Sequence, residues 1–128
     1  MLVRQYRHGI QQTVVELPCG TVEATDISPR AAVQRELLEE TGYAGTHVVE
    51  TGRRSPNPAH HANWAYCFLA TGVERVAAPM AEDTEHVETV LMPLAAVVEL
   101  ARHGGLLQAF HVGSLFFALH ALSQLELQ

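Results

Sequence analysis

Glu36, Glu39 and Glu40 stand at i, i+3 and i+4 in the segment Arg35-Glu36-Leu37-Leu38-Glu39-Glu40-Thr41-Gly42-Tyr43. At about 100° per residue, these spacings bring three carboxylates into one sector of a helix face. Like charges so placed destabilise a helix by roughly 0.2–0.5 kcal/mol per pair. They also lie in the C-terminal half of the segment, where the helix dipole favours cations. A sequence that breaks two local rules at once points to a function that needs the breach. A divalent cation relieves the repulsion. Magnesium takes hard oxygen ligands, keeps several waters and bridges to phosphates. It polarises a phosphate and lowers the pKa of a bound water, which yields a nucleophile at neutral pH. Taken alone, the same triplet is equally well a solvated acidic helix face, so its surroundings have to decide.

The elements that must position these groups are legible from pattern. Residues 1–7 read as a strand, His8-Gly9 as a turn, and 12–17 as a second strand rich in β-branched residues. Ser28-Pro29 predicts a helix start, with Ser as N-cap and Pro at the first helical position. Gly42 predicts its end in the left-handed conformation. Val33, Leu37 and Leu38 are its expected buried stripe, beside the small Ala31 and Ala32. Residues 46–53 read as a strand and 53–63 as a Pro- and Asn-containing loop. Residues 64–73 form the most apolar strand-like run and are expected to be central. Core packing is the expected fate of Trp64 and Tyr66. Residues 86–92 alternate like a strand. Pro93 opens a helix that Gly104-Gly105 ends, and residues 112–125 form an apolar terminal helix. One α/β (or α+β) domain over 1–128 follows, with helices packed on a mixed sheet.

Composition removes several classes. The chain has 128 residues, a formal net charge of −6, and eight basic residues that are all Arg. With no basic run, it lacks the means to clamp a long nucleic acid. The apolar stretches are too short or too interrupted to cross a bilayer, and the first residues do not read as a secretory signal. The cytoplasm is the default expectation. Cys19 and Cys67 lack C-x-x-C spacing and read as a reduced pair. His60 and His61 read as surface loop residues.

Residues 20–43 resemble the Nudix box. That pattern runs G, five residues, E, seven residues, R-E-U-x-E-E-x-G-U, with U a bulky apolar residue. Here Gly20 and then Arg35-Glu36-Leu37-x-Glu39-Glu40-x-Gly42-Tyr43 match it. Asp26 stands where the family has Glu, and the gap from Asp26 to Arg35 is eight residues, one longer than the pattern. The resemblance implies an α/β/α sandwich and a magnesium (or manganese) site on Glu36, Glu39 and Glu40. The Cys19 carbonyl is a further possible ligand. Arg35 would pair with a nearby carboxylate and hold the loop against the helix. Either Asp26 or Glu23 would be that partner. Gly20 would permit the tight loop.

Within the family the chain is similar to ADP-ribose pyrophosphatases. Gln5-Tyr6-Arg7, the run Glu16-Leu17-Pro18-Cys19-Gly20, Ser55-Pro56, the strand ending FLATGVE, and Glu82-Asp83-Thr84-Glu85 before Met92-Pro93-Leu94 carry the likeness. It implies that a glutamate of the acidic loop is the general base, with Glu85 fitting best and Glu82, Asp83 and Glu88 in reserve. Arg7 would clamp a phosphate. Gly20, Glu23 and Asp83 complete the expected substrate contacts. Members of this branch carry further strands before the Gln-Tyr-Arg strand. A chain starting at Met1 is therefore expected to be N-terminally shortened, to expose a sheet edge there, and to form a homodimer. The expected reaction is magnesium-dependent cleavage of a nucleoside diphosphate linked to another moiety, with ADP-ribose or a related nucleotide sugar first. Nucleoside triphosphates, dinucleoside polyphosphates, and a catalytically silent nucleotide-binding domain remain as alternatives.

Overall fold

The computed structural model describes residues 1–80 and 86–126. In chain order the elements are β1 (Leu2–Arg7), β2 (Gln12–Glu16), α1 (Pro29–Thr41), β3 (Tyr43–Arg54), β4 (Ala65–Arg75), β5 (Glu88–Val90), α2 (Leu94–Arg102) and α3 (Ala109–Glu126). The α/β class is as expected. The strand pairings are antiparallel throughout and fall in two sheets, β2-β1-β5 and β3-β4, where one mixed sheet was anticipated. The short turn between β1 and β2 explains their antiparallel pairing, whereas β1 and β5 meet from distant parts of the chain.

β1 is the central strand of its sheet. Val3 lies opposite Glu16 on one side and Thr89 on the other. Leu2 and Val3 are fully buried, each worth about 1.5–3 kcal/mol of apolar burial. The expected exposed edge at Met1 is thus corrected: β5 covers one side of β1 and β2 the other. The core gathers Leu2 of β1, Val97 of α2, Leu106 of the connection and Leu115 of α3, with Val15, Leu17, Val90 and Leu119 packed around them. The C-terminal helices therefore close over the three-stranded sheet.

β3 and β4 form a long hairpin, and it departs from expectation in depth. Of β4 only Cys67 is buried, so the most apolar run is not a central strand. Trp64 is 53% exposed, which corrects its expected place in the core. Two-stranded sheets bury little on their outer face, and hydropathy alone does not report how many neighbours a strand has.

Helix α1 has the predicted ends. The Ser28 hydroxyl accepts from the Ala31 N–H at 3.1 Å, and Pro29 opens the first turn. Gly42 takes φ 75° and donates its N–H to the Leu38 carbonyl. Its buried positions are the small Ala32 and Thr41, while Val33, Leu37 and Leu38 are half-buried. Small residues there let the helix lie close against the neighbouring hairpin.

Candidate active site

Arg35 organises the carboxylates of the box. Its Nε donates to Asp26 Oδ1 at 3.0 Å and its Nη2 to Asp26 Oδ2 at 2.9 Å. Its Nη1 donates to Glu36 Oε1 at 3.0 Å and Glu39 Oε2 at 2.9 Å, and Nη2 also reaches the Thr21 carbonyl. A planar guanidinium has donors on several edges, which is why one Arg can tie a loop to a helix. Between the two possible partners the geometry is unequal. Asp26 takes a bidentate pair, whereas Glu23 Oε1 stays 3.7 Å away. The shorter side chain compensates for the extra loop residue. Asp26 also accepts from the Glu23 N–H at 2.8 Å. The Arg35 hydrogen bonds hold the Asp26 carboxyl down to about 2, and the same partners push the Arg35 guanidinium up.

Gly20 has a definite reason to be glycine. A Cβ there would land on the carboxylate of Glu36. The Glu36 carboxylate therefore fills the space that a side chain at Gly20 would take, a hard oxygen group against bare main chain. Glu40 is close enough to raise the Cys19 thiol, whose pKa reaches about 11 through burial first and the Glu40 charge second. The sulfur is then a neutral thiol at ordinary pH, so the Cys19 carbonyl is the group suited to a hard cation.

Among the described residues, no three Asp, Glu, His or Cys side chains converge in a metal-holding group. Glu36 and Glu39 turn toward Arg35, the nearest cation. The donor chemistry still suits magnesium: carboxylate oxygens, a loop stripped of Cβ where one of them lies, and Glu40 beside Cys19.

Arg7 is placed otherwise than a free clamp would be. Its Nε and Nη2 both donate to Glu16 Oε2, at 3.0 and 2.6 Å, and Glu16 is buried and also accepts from Gln5. Arg7 lies beside Cys19 as well, since it hydrogen-bonds that thiol. It lines a cleft of about 350 Å³ with Ile10, Val14, Glu16 and Leu107. Glu23 is exposed on the loop. Glu88 instead pairs with Arg4 at 2.9 Å on the surface. Glu82, Asp83 and Glu85 lie outside the described residues. After β4, residues 76–80 are held against the C-terminal end of α1: the Met80 N–H donates to the Glu39 carbonyl at 2.8 Å, and the Val76 and Ala77 N–H groups donate to the Gly42 carbonyl.

Two tertiary contacts have no counterpart in the sequence pattern, and only the first lies beside the box. His111 of α3 is 1% exposed, and its Nδ1 accepts from the Leu17 N–H at 3.3 Å, two residues before Cys19. Burial lowers its pKa, so it is held neutral. Arg53 stacks on Trp64, with 3.9 Å from its guanidinium carbon to the ring centroid. Only tertiary pairing brings either contact about; no local spacing signals it.

The fold and the helix-borne box define a class. The family model described as the NUDIX domain matches residues 1–110, and the chain belongs to that family. Its likeness within the family is to the ADP-ribose pyrophosphatase-like branch. It is 31% identical over 70 residues to an ADP-ribose pyrophosphatase of Bacillus subtilis (strain 168), covering 55% of this chain and 37% of that one. It is 33% identical over 105 residues to a CMP-5'-(N-acetyl-N-hydroxy-3-aminopropyl)phosphonate hydrolase of Streptomyces rubellomurinus (strain ATCC 31215), covering 80% of this chain and 50% of that one. A crystal structure of an ADP compounds hydrolase shares the fold at TM-score 0.82 and 22% identity, over 96% of this chain and 65% of that chain. This chain thus spans half or less of the length of both curated relatives.

Proposed function

We propose that the chain is a Nudix hydrolase of nucleoside diphosphates linked to a second moiety, ADP-ribose or a related nucleotide sugar first, with magnesium (or manganese) held by Glu36, Glu40, Glu39 and the Cys19 carbonyl. The observation that carries this reading is the meeting of the Glu36 carboxylate with the bare Gly20 backbone, with Arg35 fixing both the loop and the helix. A bound divalent cation would supply Lewis-acid polarisation of a phosphate oxygen and a water of lowered pKa.

The protein's own groups do the rest. Arg35 and Asp26 hold the loop before α1, so that Cys19 and Gly20 stay beside Glu36. Glu85 takes a proton from the attacking water. Arg7, held by the Glu16 carboxylate, carries its positive charge to a cleft whose apolar walls suit a nucleoside, and it is the phosphate contact in this reading. Attack on one phosphorus releases a nucleoside monophosphate and a sugar phosphate.

The test is release of AMP from ADP-ribose in magnesium, which Glu40→Gln abolishes. Undiminished release by that variant refutes the metal assignment. A panel containing ADP-ribose, a cytidine diphosphate conjugate and nucleoside triphosphates separates substrates, because triphosphates release pyrophosphate. The homodimer belongs to this proposal too. Since β1 is covered, it would form through the exposed Val112 and Phe116, which share one face of α3. A cytoplasmic location is also proposed, supported by the two free cysteines.

A further inference from the structure

Arg4, Arg7, Arg35 and Arg102 each pair with a carboxylate. Arg30, Arg53, Arg54 and Arg75 have no such partner among the described residues, and of these Arg53 and Arg54 are held by aromatic rings. The Arg53 guanidinium lies 3.9 Å from the Trp64 ring centroid and 5.9 Å from that of Tyr66. The Arg54 guanidinium lies 4.0 Å from the Phe117 ring, and its Nη1 donates to the Arg53 carbonyl at 2.8 Å. A β-bulge between Glu50 and Gly52 shapes this end of the hairpin. Gly52, at φ 148°, is needed there: a Cβ would sit 2.6 Å from Arg54 Nη1.

The register puts Arg53 opposite Tyr66. Strand alternation turns both away from the face on which Cys67 meets Ser114 of α3. The Arg53–Trp64–Tyr66 group therefore looks outward. Trp64 is 53% exposed and is the chain's sole tryptophan. In a protein of net charge −6, an outward guanidinium with no carboxylate partner among the described residues is a point of attraction for an anion. An indole offers a π-face to any base, and a guanidinium fork matches phosphate oxygens.

We propose that Arg53, Trp64 and Tyr66 form a nucleotide-binding platform, with the base stacked on Trp64 and the phosphate held by Arg53. This goes beyond the hydrolytic reading and does not rest on it. The probe is AMP, titrated without metal into the full chain while Trp64 fluorescence is read. Saturable quenching is expected, with ribose 5-phosphate causing little. Arg53→Gln, checked for an unchanged melting temperature, should weaken AMP binding about tenfold or more, the loss of one charged phosphate contact. Binding to the unaltered chain should weaken as salt is raised. Absence of saturation at millimolar AMP, equal binding by Arg53→Gln, or salt-independent binding each overturns the proposal.

Discussion

Asp26 and His111 show how single environments translate into pH dependence. The folded Asp26 pKa is about 2, against an ordinary value of 3.8. Its contribution to stability is therefore complete above the ordinary value and is lost as pH falls toward 2. Urea unfolding from pH 5 to pH 2 should show a shallower decline for Asp26→Asn than for the unaltered protein. His111 follows the same sign by a different cause. Burial lowers its pKa from 6.5, so the unfolded chain binds the proton more readily. Its stabilising effect is full above 6.5 and declines as pH falls below that value. His111→Gln, which keeps an acceptor for the Leu17 N–H, should flatten the stability profile beneath pH 6.5. The Arg35 pairing and the identity of the box were readable because they depend on residues close in sequence. His111 was not, because its partner lies 94 positions away and nothing near it in sequence marks it as a support of the Cys19 loop.

Helix α1 is the element that was most legible, since its signals are local. Ser28, Pro29 and Gly42 act through their own backbone geometry and predict both ends. Ser28→Ala should cost about 1 kcal/mol, read by denaturant titration. Gly42→Ala should cost more, at least ~1–2 kcal/mol, because φ 75° is strained for alanine and its methyl would meet the Ala77 carbonyl. A loss below 0.5 kcal/mol in both variants would remove these caps from the account. Gly20→Ala separates packing from chemistry: it should displace the Glu36 carboxylate and reduce turnover strongly, with a much smaller drop in melting temperature. The run 64–73, expected to be central, lies in a two-stranded hairpin for a physical reason. An apolar run reports its own composition, whereas burial depends on how many strands and helices later cover it. The Arg53–Trp64 stack occupies the surface left open.

At the size of one domain, the molecule encloses its core with α2 and α3 over the β2-β1-β5 sheet. No described helix is long and apolar enough to cross a membrane. The α/β class and the single helical box were visible from pattern, but the division into two antiparallel sheets was not, since it depends on which strands meet after hairpin formation. If α3 makes the dimer contact, sedimentation equilibrium should give a dimer that Phe116→Glu dissociates while β1 remains intact. A monomer at all concentrations would remove that contact. The central claim concerns the cation. Manganese titration followed by electron paramagnetic resonance reads bound metal without requiring turnover. The unaltered chain should take up manganese, magnesium should displace it, and the Glu36→Gln, Glu40→Gln double variant should lose it. Equal uptake by the double variant, or none by the unaltered chain, would contradict the account.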